Sequence, residues 1–209
     1  MSKLIEIKEI ERLYKKGKSS AEIGSVMGIS WRRVIYLMEK NNLKRRSRSE
    51  ATYRKLNPHG DPFNVKKNLT RDEQRLKNLA LGLYMGEGTK SNSISVRLSN
   101  SDPNLVNIFL KFLTDICGVR TQKIKLWITL HSDIPPKQAE RFWSQKLSTP
   151  LSQFSKSVII NNRGNGIYKK KSLYGTATIC VHNMKLRKLL QGWIKKSIGN
   201  YAHVVQPRM

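Results

Sequence analysis

Residues 79–88, LALGLYMGEG, form the stretch around which we interpret the rest of the chain. The preceding residues 71–77 are charged and amphipathic, whereas from Leu79 onward the side chains are apolar or absent. A helix that is apolar on all sides is buried on all sides. Gly82 and Gly86 lie four residues apart and share one helical face. Because each glycine costs about 1 kcal/mol relative to alanine in a helix interior, the pair predicts that a second helix packs closely there.

Glu87 interrupts this apolar pattern. It stands at the C-terminal end of the predicted helix, where the helix dipole disfavours a carboxylate. If the partner helix is a second copy of the same segment, two Glu87 side chains converge, and like charges that close do not both ionise comfortably without a cation. Hard divalent ions such as Mg²⁺ take carboxylate oxygens. The alternative is a structural role, in which Glu87 caps a neighbouring backbone or pairs with Lys90.

Residues 80–88 resemble the nine-residue motif of the LAGLIDADG homing-endonuclease family. The small third and seventh positions are Gly82 and Gly86, the acidic eighth position is Glu87, and the terminal glycine is Gly88. In that family the motif helices of two subunits, or of two halves of one chain, pack together and present one acid each to divalent metals. Two positions depart from the motif, since the first is Ala80 and the sixth, often acidic, is Met85.

The resemblance extends loosely over residues 70–200 and implies a double-stranded DNA endonuclease. The chain holds one such motif and no internal repeat that supplies a second, so activity requires a homodimer, and a two-fold dimer binds a near-palindromic site. Cleavage would fall on both strands across the minor groove. The implied metal ligand is Glu87, with Lys90 or Arg97 stabilising the developing charge. The implied interface residues are Leu79, Gly82, Leu83 and Gly86.

Forty Lys and Arg against fourteen Asp and Glu give the 209-residue chain a formal charge of +26. Such a charge favours a polyanionic partner through phosphate contacts and counterion release. The length allows one or two domains with a sizeable core. A membrane partner is not expected, because no long apolar run, lipidation signal or basic amphipathic tail is present. Non-specific RNA binding, as in ribosomal proteins, is an open alternative.

Cys117 and Cys180 lie in apolar segments without metal-type spacing, which predicts reduced core residues of an intracellular protein. No signal peptide is predicted, because residues 1–10 mix charged and apolar side chains. The four histidines lack the spacing of a zinc site or of an HNH nuclease. We therefore expect a cytoplasmic protein that is associated with the nucleoid when bound to DNA.

Three short helices are predicted in residues 3–41. Apolar side chains at helical spacing define the first, and Gly17 ends it. Ser19 and Glu22 form a capping-box pattern that opens a second helix through Met27. A small core is expected between the helices, contributed by Ile23, Val26, Ile29, Val34 and Leu37.

Gly28 begins a tight turn, after which Ser30 is placed to cap the third helix. Two short helices joined by such a turn follow the helix-turn-helix plan, and the segment looks like the small domains of resolvases and sigma factors. The third helix would be the recognition helix, directing five side chains toward DNA: Ser30, Trp31, Arg32, Arg33 and Tyr36. A helical hairpin with a solvated basic face is the alternative.

Residues 44–48, KRRSR, are basic and predicted to be irregular. As part of a linker they would follow phosphates or the minor groove through Lys44, Arg45, Arg46 and Arg48. A plain solvated linker is the alternative. Residues 49–70 contain Pro58, Gly60 and Pro62 and are predicted to continue the linker.

Residues 94–99 alternate with period two, as in a half-buried strand, and the polar face offers Ser95, Arg97 and Ser99 to base edges or phosphates. Asp102 and Pro103 are expected to start the following helix. Residues 123–130 form a second alternating strand that carries Lys123 and Lys125. Further strands are predicted at 158–161 and 173–182, and core helices at 103–116, 135–147 and 184–198.

The loop 162–171 supplies Lys169, Lys170 and Lys171 as further DNA contacts, although a solvated face explains each of these lysines equally well. Trp127, Phe142, Trp143 and Trp193 fall at apolar positions and are predicted to lie in the core, with base stacking as the alternative.

We therefore predict an α+β protein. A three-helix helix-turn-helix domain (1–48) and a linker (49–70) precede a LAGLIDADG-like domain (71–200) with an antiparallel saddle-shaped sheet and packed helices, followed by a tail (201–209). Two functions are compatible with it. The first is a homodimeric, Mg²⁺-dependent, site-specific endonuclease, which the presence of Glu87 favours. The second is a DNA-binding transcription regulator on the same scaffold that has lost cleavage.

Overall fold

The computed structural model of the chain describes residues 3–89, 94–161 and 172–202. The chain divides into two units, Met1–Asp61 and Pro62–Met209, which we call the N-terminal and C-terminal units. The described part of the N-terminal unit is helical, whereas the C-terminal unit combines helices with a four-stranded sheet. The predicted α+β class is therefore confirmed.

The first three helices of the N-terminal unit begin and end close to the predicted residues, and a fourth helix that was not predicted follows them. The helices are α1 (Lys3–Lys15), α2 (Ser20–Met27), α3 (Trp31–Lys40) and α4 (Arg48–Leu56). The Ser19 amide donates to the Glu22 carboxylate at 2.7 Å, and the Glu22 amide donates to Ser19 Oγ at 3.2 Å. This reciprocal pair is the predicted capping box, and it satisfies two amides that the helix itself leaves unpaired. Gly17 and Gly28, with φ of +102° and +67°, follow the ends of α1 and α2.

The turn between α2 and α3 brings two stretches of backbone into close contact. The Ile29 amide donates to the Gly24 carbonyl at 3.0 Å. A Cβ at Gly24 would lie 2.6 Å from the Ile29 carbonyl oxygen and 3.2 Å from the Trp31 nitrogen. Only glycine fits this position without moving the backbone of the turn. The geometry is compatible with a helix-turn-helix.

The small core of the N-terminal unit is built from Ile10, Leu13, Ile23, Val34 and Met38. Ile29 and Leu37 pack against it, as predicted. The prediction for Val26 is wrong, since its side chain is 58% exposed. The reason is geometric: α2 is short, and it turns the side that carries Ile23 and Gly24 inward.

A fourth helix, α4, lies where the sequence predicts an irregular linker. The Ser47 amide donates to the Glu50 carboxylate at 2.8 Å, and the Glu50 amide donates to Ser47 Oγ at 3.2 Å. No residue of α4 is fully buried. The helix therefore lacks the apolar periodicity on which the prediction relied, and its capping box was the available signal.

The C-terminal unit alternates helices and strands. Its elements are α5 (Arg71–Glu87), β1 (Val96–Asn100), α6 (Pro103–Lys111), a π-helical turn that continues α6 (Phe112–Ile116), β2 (Ile124–His131), α7 (Pro136–Lys146), β3 (Val158–Ile160), β4 (Thr176–Val181) and α8 (Met184–Ala202). Asp102 accepts a hydrogen bond from the Asn104 amide at 2.8 Å, which confirms the predicted cap of α6. None of the helices that the structure describes combines the length and apolarity needed to cross a membrane.

The sheet is mixed, with the strand order β1-β4-β2-β3. β4 lies between β1 and β2 and is antiparallel to both, whereas β3 is parallel to β2. The prediction of an antiparallel sheet is therefore wrong at the β3 edge. The chain passes from β2 through α7 to β3, and a helical crossover of this kind joins parallel strands.

One face of the sheet packs against the helices and forms the main core. Val96, Leu98, Leu126 and Ile128 alternate inward along β1 and β2 and are buried. Aromatic side chains from the helices fill the other side of this core: Tyr84, Phe109, Phe112 and Trp143. The edge strand β3 differs, because Val158, Ile159 and Ile160 are all exposed.

Cys117 follows the π-helical turn and is fully buried. Burial raises the pKa of its thiol to about 12, while the charge of Lys77 acts in the opposite direction. The described thiols Cys117 and Cys180 are both unpaired and buried, as the sequence predicts.

Cys117 makes the stability of the C-terminal unit depend on pH in the alkaline range. The unfolded thiol ionises near its ordinary pKa of 9.0, whereas the folded thiol stays neutral up to a much higher pH. Stability is therefore complete below 9.0 and declines above it, by about 1 kcal/mol over the first pH unit. In urea unfolding measured across this pH range, the free energy of unfolding of Cys117→Val should not show this decline with pH. Ile116→Val, a buried neighbouring change without an ionisable group, should keep it; equal slopes in both variants would contradict the assignment.

Candidate nucleic-acid interface and acidic helix end

The backbone at Glu87 is fixed by the junction that follows it. Gly88 ends α5, and a Cβ at this position would collide with the carbonyl and the ring of Tyr84. Gly88 forms an antiparallel bridge with Leu98, and the Thr89 amide donates to the Arg97 carbonyl at 3.0 Å. The main chain therefore joins the end of α5 to β1, and the acid stands beside the strand that carries Arg97.

The Glu87 side chain is exposed and makes no hydrogen bond or ion pair with the described residues. Among residues 3–89, 94–161 and 172–202, no three His, Cys, Asp or Glu side chains converge as a metal site would require. A carboxylate is a donor that Mg²⁺ accepts, but one carboxylate is too few for a specific site. The residues fit a metal only if a second copy contributes its own Glu87.

The side of α5 that carries the glycines is open. A Cβ at Gly82 or Gly86 would meet nothing within 4 Å, and Leu79 is 54% exposed. Leu83 is partly buried at the flank of this surface, which we call the glycine face: Leu79, Gly82, Leu83 and Gly86. The opposite side, with Ala80, Leu81 and Tyr84, enters the core. The described residues therefore do not bury α5 on all sides, and none of them covers Gly82 or Gly86 on the glycine face.

The second face of the sheet carries polar and basic side chains. Lys125 and His131 on β2 are exposed, and Arg97 and Ser99 on β1 are partly buried. The register pairs Arg97 and Lys125 with the same residue, Cys180, so both side chains belong to one face. We call this surface the polar face: Arg97, Ser99, Lys125, Trp127, Thr129 and His131.

Trp127 belongs to the polar face and not to the core, which corrects the prediction for this residue. It alternates with Leu126 and Ile128, which point inward, and it is partly exposed. The Arg97 guanidinium lies over the Trp127 ring at 5.3 Å from the centroid. The Arg97 Nε is buried and has no hydrogen-bond partner among the described residues. The pair therefore presents a cation stacked on an aromatic ring, while the Nε itself is enclosed.

Two hydroxyl groups are paired on the polar face, where Ser99 Oγ and Thr178 Oγ1 lie 2.8 Å apart. Ser95 does not reach this surface, because its side chain is fully buried and its hydroxyl is enclosed. The prediction of a DNA contact at Ser95 is therefore corrected. Lys123 is exposed in a short turn directly before β2. Lys90, Lys169, Lys170 and Lys171 lie outside the described residues.

α3 exposes the aromatic and basic side chains that the sequence assigns to DNA contact. Trp31 and Tyr36 are 50% and 58% exposed, and Arg32 lies over the Trp31 ring at 5.4 Å from the centroid. Ser30 Oγ accepts a hydrogen bond from the Arg33 amide at 3.2 Å, so its hydroxyl serves as the cap of α3.

Arg33 has a structural partner that the sequence did not indicate. Its Nε lies 3.3 Å from the Glu6 carboxylate, and that carboxylate is largely buried. The ion pair joins α1 to α3. A role in fixing α3 therefore competes with the predicted DNA contact at Arg33, whereas Arg32 is exposed and forms no ion pair with the described residues.

Arg46 is part of the fold of the N-terminal unit. Its guanidinium donates to the carbonyls of Tyr14, Gly17 and Lys18 at 2.7, 2.9 and 2.9 Å. It also lies over the Tyr14 ring at 3.8 Å from the centroid. The predicted DNA contact at Arg46 is thus corrected, because its donors satisfy carbonyls at the C-terminal end of α1. Lys44, Arg45 and Arg48 are exposed.

Sequence reasoning missed Trp127, Thr129 and His131 as members of the polar face. The signal was present in the alternation of residues 123–130, which assigns Trp127 to the same side as Lys125. It was overridden by the apolar character of tryptophan.

Comparisons of the chain with protein-family models, with curated proteins and with solved structures found no match.

Arg46→Met should destabilise the N-terminal unit by about 2 kcal/mol, because it leaves helix-end carbonyls without donors and removes a cation–π contact. Arg45→Met is a matched control, since Arg45 is exposed and makes only a 3.5 Å contact with Glu39. Thermal unfolding followed by circular dichroism would measure the difference. Equal melting temperatures for the two variants would contradict the structural role of Arg46.

Proposed function

We propose that the protein is a homodimeric, divalent-metal-dependent, site-specific endonuclease of double-stranded DNA. The observation that carries the proposal is the glycine face of α5, where no described residue lies against Gly82 or Gly86 and which ends at Glu87, whose carboxylate has no partner among the described residues. The N-terminal unit would extend the DNA contact through α3.

The glycine face supports association with a second copy. Nothing within the described chain lies where side chains at Gly82 and Gly86 would stand, so no contact inside the described molecule explains these residues. Glycine in an exposed helix lowers helix stability, and the absence of side chains allows a neighbouring helix to approach closely. A two-fold dimer uses the same surface on both chains. Face-to-face packing of two α5 helices would then cover Leu79 and bring the two Glu87 carboxylates together.

In the dimer, two Glu87 side chains would hold the metal, and a bound Mg²⁺ would polarise the scissile phosphate and lower the pKa of an attacking water. Arg97 stands on the strand next to Glu87, and the exposed part of its guanidinium would neutralise a phosphate oxygen. Lys125 lies across β4 from Arg97 on the same face and adds charge for the adjacent backbone phosphates.

The charge distribution supports nucleic acid as the partner. The formal charge is +26, and the polar face contains no Asp or Glu. Basic and hydroxyl side chains on one face are the groups that contact phosphates and base edges. Trp127 adds an aromatic surface beside Arg97.

The second candidate is a DNA-binding regulator on the same scaffold. The tight α2–α3 turn and the exposed side chains Trp31, Arg32 and Tyr36 favour DNA binding by the N-terminal unit without any cleavage. Because the N-terminal unit is compatible with both functions, only a measurement of DNA cleavage distinguishes the endonuclease from the regulator.

Gly82→Leu should block dimerisation, because a leucine on the glycine face prevents close approach of a second α5. Gly192→Leu is the matched control, since Gly192 also lies in a helix, is exposed and has nothing within 4 Å of its Cβ position. Sedimentation equilibrium should show a dimer for the wild type and for Gly192→Leu, and a monomer for Gly82→Leu. An unchanged dimer in Gly82→Leu would refute the proposed interface.

Glu87→Gln should leave DNA affinity near that of the wild type and lower Mg²⁺-dependent cleavage by about a hundredfold or more, because a metal ligand is lost. Asp72→Asn, an exposed acid at the other end of α5, serves as the control and should cleave normally. A randomised duplex library sequenced after binding and after cutting supplies both readouts. Full cleavage by Glu87→Gln would exclude the metal role, whereas binding without cleavage in the wild type would favour the regulator.

A further inference from the structure

A cavity of about 390 Å³ opens between α5 and α8, close to the end of the glycine face. Its walls are largely apolar and come from Tyr84, Met85, Ile194 and Ile198. Met85 and Ile198 are 37% and 52% exposed, so the cavity is reached from solvent past these two side chains. Small-molecule sites in proteins have this volume and an apolar lining with a few convergent polar groups.

The charged groups among the described lining residues of the cavity are both positive. Arg187 and Lys195 line it together with Gln191 and Thr89, and no acidic side chain is among the described lining residues. Arg187 is only 8% exposed, so its charge is largely shielded from bulk water. Burial raises the pKa of Tyr84, while the hydrogen-bonded guanidinium of Arg187 opposes that shift. The Tyr84 hydroxyl is therefore neutral at physiological pH and helps to orient Arg187.

We propose that this cavity binds a small amphipathic monoanion, with an apolar chain against Met85, Ile194 and Ile198 and a carboxylate at Arg187 and Lys195. A cation that is shielded from bulk water binds an anion more strongly than an exposed one, because the local dielectric is lower. An apolar tail gains from leaving water in proportion to the area that the walls cover. The cavity offers both a shielded cation and an apolar wall at one end of α5. Binding of the anion does not depend on the proposed DNA cleavage.

Isothermal titration of the full chain with decanoate, at a salt concentration that screens surface charge, tests the site. One decanoate should bind per protein chain. Decanol, which has the same alkyl chain without the charge, should bind about tenfold more weakly.

Lys195→Gln should lower decanoate affinity about fivefold. Lys196→Gln, the exposed neighbour on α8 outside the cavity, should leave the affinity unchanged. Ile198→Trp should abolish binding by filling the entrance.

Three outcomes would overturn the proposal. They are no binding of decanoate to the wild type, equal losses in Lys195→Gln and Lys196→Gln, and undiminished binding to Ile198→Trp. If decanoate does not bind and Ile198→Trp sediments as a monomer while the wild type is a dimer, the cavity belongs to a contact with a second copy. Because decanoate binding and DNA cleavage are measured separately, failure of one proposal leaves the other standing.

Discussion

The contact between Gly88 and Tyr84 fixes the geometry on which the proposed function depends. The chain leaves α5 through a position where any side chain would strike the Tyr84 carbonyl and ring, and it pairs at once with β1. Tyr84 itself stacks on Phe109 in the core, with ring centroids 5.7 Å apart. The end of the helix is thus anchored both to the sheet and to the core. The backbone at Glu87 is therefore fixed relative to β1, which limits the positions that its carboxylate can reach.

The chain has few acidic residues, and several of them stabilise helix ends. Hydrogen bonds with Ser19 and Ser47 lower the pKa of Glu22 and of Glu50, which close capping boxes. The hydrogen bond from Lys66 and then that from Thr70 lower the pKa of Glu73 in the same way. These carboxylates stay charged at the helix N-termini, where the dipole favours them. The large excess of cations over acids is therefore not neutralised within the chain, as the proposed binding of nucleic acid requires. Glu87 differs from these capping acids, because it makes no hydrogen bond or ion pair among the described contacts.

Local signals predicted the fold better than long-range ones. The sequence predicted the helix caps at Ser19 and Asp102 and the turn at the left-handed Gly28, because each depends on a few neighbouring residues. The parallel pairing of β3 was not, since it follows from where α7 returns the chain and not from the strand itself. Arg46 is another such case: in the sequence it is one cation in a basic run, and only the folded chain brings it to the end of α1. Trp127 shows that periodicity predicts a side chain's direction better than its hydrophobicity does.

The open glycine face has a consequence for gene dosage. If two copies must meet through α5 before both acids are in place, the amount of assembled dimer at low expression rises with the square of the protein concentration. Recognition by a single N-terminal unit would rise only in direct proportion. A modest change in synthesis would then move the protein from occupying its target to cutting it, and a rare protein would be nearly harmless to its host chromosome.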